Sequence, residues 1–360
     1  MKRTLGLGAI AALAVVSLAA CGSAPKTSAQ SQSGAVSDIK ACMVSDFGGF
    51  DDRSFNESGY DGMLQARDEL GVSIDTAEST SAFDHIPNIN NMVQGGCDLI
   101  IGVGYLMADA MVEAAEANPG IKFALIDGSF ETSTGNGKAL LFNTAEAAYL
   151  AGYLAAGMTG TGVIGVYVGM NLPSTAIFAD GYVDGVAEYN AVHGTEVKVL
   201  GWNKDSQDGM ISGDFENQSM GCQLTQNLID QDADVIMPVA GSVGLGTLTV
   251  AQEAGNGTKV IWVDSDGHES NLEYGDVLLT SVKKEIAAAV YDTIESVVNG
   301  TFTDEAYIGT LENGGVGLAP FHDFENQVPA ELQEELGELT QRIISGDIVI
   351  ESMNSPTSGS

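Results

Sequence analysis

Three aspartates stand at the ends of apolar, strand-like runs: Asp46 after Ala41–Ser45, Asp127 after Phe123–Ile126, and Asp264 after Val260–Val263. In a parallel α/β domain, ligands sit just outside the carboxyl ends of the strands. Each aspartate taken singly is also a good helix N-cap; three at one rim argue for carboxylates that accept hydrogen bonds from a ligand. Asp46 leads through Gly48-Gly49 to Ser54 and Phe55, so Phe55 is expected to face the same crevice with a flat apolar ring. A charged acceptor beside a flat ring suits a ligand with a polyol at one end and a planar ring at the other. Lys283 and Lys284 add the complementary charge in a chain with only 14 Lys and Arg residues. An ammonium there would neutralise the acids and donate to a ligand hydroxyl. As solvated lysines at a helix start, the pair would instead oppose the helix dipole.

Other motifs carry less chemistry. Residues 239–246, Val-Ala-Gly-Ser-Val-Gly-Leu-Gly, follow a strand and open a helix, so Gly241 and Gly244 are candidates for close backbone approach to a ligand. No Gly-Lys-Ser/Thr follows, and Gly102-Val103-Gly104 lacks the third glycine of a dinucleotide fingerprint. Asp264-Ser265-Asp266-Gly267 resembles part of a calcium loop, but Glu269 and Gly275 occupy positions that require Gly and Glu. His85, His193, His268 and His322 are scattered singly, and no nucleophile–base pair stands out. No catalytic residue, metal or cofactor is expected.

These residues need a scaffold of alternating strands and helices. Buried parallel strands are expected at Ala41–Ser45, Leu99–Val103, Phe123–Ile126, Val163–Val168, Val235–Val239 and Val260–Val263. Helical faces are marked by Met63, Ala66 and Leu70; by Leu150, Leu154 and Met158; by Ile286, Val290, Ile294 and Val297; and by Leu332, Leu336, Leu339 and Ile343. The spacing Ser54-x-x-Glu57 predicts a capping box. The alternation means an α/β fold with parallel sheets, and a break near 143–150 divides it into two similar lobes. The strand from Val277 and its following helix are expected to return to the first lobe, and the chain from Val316 to the second. The reading is residues 38–143 and 274–312 for the N-terminal lobe, 144–273 and 313–350 for the C-terminal lobe, and 351–360 as a disordered tail.

The formal net charge of −35 would repel phosphate backbones, so nucleic-acid binding is not expected. Lys2 and Arg3, the apolar run Leu5–Leu18 and then Ala19-Ala20-Cys21 compose a signal peptide over 1–20. The cysteine after small residues resembles a bacterial lipobox, which implies acylation of Cys21; residues 21–37 then read as a flexible tether. Cys42 and Cys97, near the starts of strands that could be neighbours, allow a bridge; buried free thiols are the favoured reading.

Taken together, Asp46-Phe-Gly-Gly-Phe-Asp-Asp-Arg-Ser-Phe-Asn56, Glu146-Ala-Ala-Tyr-Leu-Ala-Gly-Tyr-Leu-Ala-Ala156, Gly169–Pro173 with Phe178-Ala-Asp-Gly181, Ala233–Met237, Val263-Asp-Ser-Asp266 and Thr280–Lys284 resemble the BMP/PnrA-like family. These are lipoprotein receptors that feed ABC importers, several of them purine nucleoside binders. The resemblance spans about Ile39 to Ile350 and implies a type I periplasmic binding protein fold, two Rossmann-like lobes joined by three crossings. Carried over by motif, Asp46 resembles the acid at the mouth of the first strand, Phe55 the base-stacking aromatic with Asn56 beside it, and Asp127 the acid that reads the base edge. Phe178, or else Tyr182, covers the other ring face; Gly241–Gly244 resembles the backbone contact, and Asp264 with Lys284 the ribose pair. Two positions depart from the pattern: Arg53 where Lys is usual, and Ala287 where an acid is usual. The implied protein is a monomeric, lipid-anchored extracytoplasmic receptor with a nucleoside as ligand and an ABC permease as partner. A receptor for a sugar or another small polyol, a nucleoside hydrolase and a structural lipoprotein are the alternatives.

Overall fold

The computed structural model describes residues 37–130 and 135–357. The signal peptide, Cys21 and nearly all of the tether lie outside the described residues. The chain opens with β1 (Lys40–Val44), α1 (Phe55–Leu70), β2 (Ser73–Ala77), α2 (Ala82–Gln94), β3 (Leu99–Val103), α3 (Ala108–Ala117), β4 (Lys122–Ile126) and β5 (Gly137–Phe142). It continues with α4 (Thr144–Met158), β6 (Val163–Val168), α5 (Pro173–His193), β7 (Lys198–Leu200) and the short hairpin β8 (Trp202–Asn203) and β9 (Asp208–Gly209). Next come α6 (Gln218–Ile229), β10 (Val235–Val239), α7 (Gly244–Ala254), β11 (Lys259–Asp264), α8 (Gly267–Ser270) and β12 (Leu278–Lys284). Last are α9 (Ile286–Val298), β13 (Tyr307–Gly309), β14 (Val316–Leu318) and α10 (Ala330–Ile344).

Two six-stranded sheets result, ordered β13-β5-β4-β3-β1-β2 and β14-β12-β11-β10-β6-β7. Pairing is parallel throughout, except for β14 against β12. Parallel sheets are covered on both faces, which is why β3, β4 and β10 are continuous apolar runs with hardly an exposed side chain. The expected faces of α9 and α10 are buried, Ile286, Val290 and Ile294 on one and Leu332, Leu336, Leu339 and Ile343 on the other, except that Val297 at the end of α9 is only half-buried. Helix α4 differs, being buried nearly all round. It lies so close to α5 that a Cβ on Gly152 would meet the Tyr182 carbonyl oxygen at 2.1 Å, and one on Gly185 the Tyr149 oxygen at 1.9 Å.

The chain passes between the sheets at residue 143, at residue 285 and through 310–315. These passages are laced together. The Asn143 amide donates to the Gly309 oxygen (2.8 Å), the Glu285 amide to the Gly315 oxygen (2.9 Å), and the Leu311 amide to Glu146 Oε2 (2.7 Å). One expectation is corrected here. The strand from Val277 does not return to the first lobe: β12 pairs with β11 over Val260–Asp264 and completes the second sheet. The crossing back starts with α9, which packs on α1 where a Cβ on Gly62 would meet the Ala287 oxygen at 2.4 Å, and ends with β13 in the first sheet.

Three further expectations change. Cys42 and Cys97 form a disulfide, with Cα atoms 6.0 Å apart, because β1 and β3 are parallel neighbours and Cys97 sits just ahead of β3. Residues 351–357 are not a disordered tail. Ser352 Oγ donates to Asp180 Oδ2 (2.6 Å), and Asn354 Nδ2 donates to Asp180 Oδ2 (3.1 Å) and Gln207 Oε1 (2.7 Å). The Ser54 hydroxyl caps no amide of α1. Asp52 takes that role, its carboxylate accepting from the amides of Ser54, Asn56 and Glu57 at 2.9–3.1 Å.

Candidate functional site

The carboxyl ends of both sheets face one pocket of about 550 Å³, open mouth included. From the first lobe, β1 delivers Asp46, α1 delivers Phe55 and Asn56, and β4 delivers Asp127; from the second, β10 leads to Gly241, β11 ends in Asp264 and β12 in Lys284. Phe178 of α5 also lines it. Asp127 and Asp264 both adopt left-handed backbone, φ 57° and 70°, which non-glycine residues seldom hold. Such strain gathers at functional sites, where surrounding structure enforces it.

Lys284 is the centre of the site. Strand alternation turns it inward while Lys283 turns out to pair with Glu285 at 2.9 Å. Its Nζ lies 2.5 Å from Asp127 Oδ2 in one lobe and 3.3 Å from Asp264 Oδ1 in the other. The same ammonium sits 5.0 Å from the Phe55 ring centroid and 4.9 Å from that of Phe178, within cation–π range of both. Burial alone would lower the lysine pKa, but Asp127 and Asp264 outweigh it and hold it above its ordinary value. Burial pushes Asp127 up against the opposing pull of Lys284.

Asp46 is held on the pocket wall by its neighbours. The Phe47 amide donates to its Oδ1 (2.8 Å), and its own amide donates to Asn56 Oδ1 (2.9 Å). Burial raises its pKa to about 7 despite the Phe47 amide, and Asp52 and Glu216 add to the rise. Gly104, with φ 105°, is flush against it: a Cβ there would lie 2.3 Å from Asp46 Oδ2. The Asn56 amide group is already spent on Phe47 and Asp52. Asn56 therefore braces the loop that presents Asp46, although it also lines the pocket.

Gly244 does not line the pocket. It is needed for packing, since a Cβ there would strike the Trp262 ring at 2.7 Å. Tyr182 is wholly buried away from it. Sequence reasoning missed Phe215, Tyr105 and Ser174, all of which line the pocket. Phe215 is set against Gly169, where a Cβ would lie 2.3 Å from its ring; an aromatic within the polar run Ser212–Asn217 was the available signal.

The rims of the two lobes touch around this pocket. Ser54 Oγ donates to the Val263 oxygen and to Asp264 Oδ2, both at 3.1 Å, Ser265 Oγ to the Arg53 oxygen (3.2 Å), and Arg53 pairs with Glu273 at 2.6 Å. Among the described residues no cluster of side chains is suited to a metal ion. The arrangement is an acid-lined pocket between two lobes, built to bind.

Comparison with known proteins places this geometry. Residues 39–354 match the Bmp family, described as ABC transporter substrate-binding protein PnrA-like. The chain belongs to the Bmp family. Its fold is that of the periplasmic-type solute-binding proteins, and a Bmp protein is a receptor of an ABC transporter rather than an enzyme. Among relatives, the ABC transporter nucleoside-binding protein BmpA of Lactococcus lactis subsp. cremoris is 29% identical, over 98% of this chain and 99% of that protein. An uncharacterized lipoprotein of Pyrococcus abyssi is 30% identical, over 94% of this chain and 81% of that one. An ABC transporter solute-binding protein from Aeropyrum pernix superposes with a TM-score of 0.78 at 26% identity, covering 87% of this chain and 94% of that structure.

Proposed function

We propose that this Bmp-family receptor binds a purine nucleoside between its lobes and delivers it to an ABC permease. The observation that carries the reading is Lys284, held between Asp127 of one lobe and Asp264 of the other beside the Phe55 ring. Phe55 stacks on the base, and Phe178 and Phe215 supply further aromatic wall. Asp127 accepts from N–H groups at the base edge, while Asp264 and Lys284 take the ribose hydroxyls and the Gly241 backbone lies alongside. Charge-assisted hydrogen bonds of this kind are each worth about 1.5–3 kcal/mol, and stacking adds roughly 1–3 kcal/mol per base.

The same acids select against phosphate. Asp127 and Asp264 share one buried lysine, with Asp46 on the same pocket wall, so a nucleotide would bring its charge against carboxylates, whereas an uncharged nucleoside does not. The named binding activity of the Lactococcus relative points the same way. Cys21 is the acylated first residue of the mature chain and residues 22–36 tether the receptor to the outer face of the membrane. The lipoprotein relative supports this anchor.

Calorimetry with inosine, guanosine, free ribose and guanosine monophosphate tests the reading. Saturable binding of the nucleosides with no measurable binding of ribose or the monophosphate is expected. Equal or tighter binding of ribose would shift the assignment to a sugar receptor.

A further inference from the structure

Asp127 lines more than the nucleoside pocket. A second cavity of about 870 Å³, open mouth included, shares Tyr105, Asp127 and Ser174 with it and continues past Leu141, Phe142 and Ile177. Its outer wall is the C-terminal segment, from Met353 to Thr357. That segment is held by a built anchor. Asp180 is fully buried and accepts from Trp202 Nε1 (2.9 Å) and Gln207 Nε2 (2.8 Å) on one oxygen, and from Ser352 and Asn354 on the other. Lys204 secures the same segment through the Glu351 oxygen at 2.5 Å. Four donors satisfy the buried carboxylate and fix the wall in place. Ser355 is one of the residues of that wall.

We propose that this side cavity is a subsite for a substituent on the base, so that the receptor accepts purine nucleosides carrying an uncharged, largely apolar group on the exocyclic nitrogen. The inference rests on the nucleoside reading and on Asp127 facing the base edge. A group attached at that edge leaves the first pocket between Tyr105 and Ser174 and enters the second. Leu141, Phe142 and Ile177 take its apolar body. An anionic substituent is disfavoured, because Asp127 stands at the entrance and the chain carries a net charge of −35.

The test is calorimetry with adenosine, inosine and N6-benzyladenosine on the wild-type chain, on Leu141→Trp, and on a chain ending at Ser352. Leu141 lines the second cavity and not the first. The wild type is expected to bind N6-benzyladenosine within about fivefold of adenosine. Leu141→Trp should weaken N6-benzyladenosine at least tenfold and leave inosine within threefold, and the truncation should weaken the benzyl compound selectively. Adenosine and inosine binding with N6-benzyladenosine rejected by fiftyfold or more would overturn the subsite alone. Equal losses for all three ligands in Leu141→Trp would overturn it too. Failure of all three to bind the wild type would remove the nucleoside reading, and the subsite with it.

Discussion

Replacing Lys284 by Met keeps the length of the side chain and removes the charge on which the pocket turns. In the native protein its ammonium is 2.5 Å from Asp127 and 3.3 Å from Asp264, and all three side chains are at most one-tenth exposed. Removing one partner of a buried ionic group typically costs about 3–5 kcal/mol, because the remaining charge is left uncompensated. Here two carboxylates are left, so the loss belongs at the upper end, about 5 kcal/mol at pH 8. The loss depends on pH with a definite sign. Burial already pushes Asp127 above its ordinary value against the pull of Lys284; without the lysine that rise is unopposed, so the native variant binds more protons than its unfolded chain. Its stability therefore falls as pH rises from the ordinary carboxylate range to the raised folded values. Urea unfolding of Lys284→Met and wild type at pH 5 and pH 8 is the assay, with a smaller difference expected at pH 5. Adding Asp127→Asn to the variant should recover part of the loss at pH 8. A destabilisation under about 1 kcal/mol that does not change with pH would refute the claim that this lysine neutralises the site.

Other perturbations follow from the same geometry. The Asp46 pKa of about 7 against an ordinary 3.8 corresponds to about 4 kcal/mol at 1.36 kcal/mol per pH unit. The unliganded protein should lose stability as pH rises between those values, and Asp46→Asn should flatten that slope in urea titrations. Phe55→Ala should weaken inosine by tenfold or more through loss of base stacking while leaving the urea midpoint nearly unchanged; calorimetry showing unaltered affinity would count against the stacked base. The Cys42–Cys97 bridge spans a sequence separation of 55, for which chain entropy gives about 4 kcal/mol. Unfolding of the Cys42→Ala/Cys97→Ala variant should show a loss of that order or somewhat less.

The strands that a reader can find in the sequence are those buried on both faces. Leu99–Val103, Val163–Val168 and Val235–Val239 stand in the structure with the expected ends, because no polar residue interrupts their apolar runs. The edge strand β2, Ser-Ile-Asp-Thr-Ala, is largely exposed and carries no such signal. Assignment of β12 to a sheet was not legible, since Leu278–Lys284 reads the same whichever neighbour it joins. The pattern Ser54-x-x-Glu57 misled for a related reason. A local capping motif competes with long-range partners, and here Asp52 caps the helix while Ser54 reaches Asp264 across the cleft. Asp46, Asp127 and Asp264 were legible because strand ends locate a crevice in this class of fold. Tyr105 and Phe215 lie outside the strands and carry no strand or helix period, and Ser174 sits in the first turn of α5, four residues ahead of Phe178. Their place in the pocket depends on how the two lobes face each other.

The most direct measurement is a crystal structure of the protein with inosine. Electron density should show the base against Phe55, its edge at Asp127, and the ribose hydroxyls within hydrogen-bond distance of Asp264 and Lys284. An empty cleft at saturating inosine, or a nucleoside whose sugar lies away from Asp264 and Lys284, would contradict it.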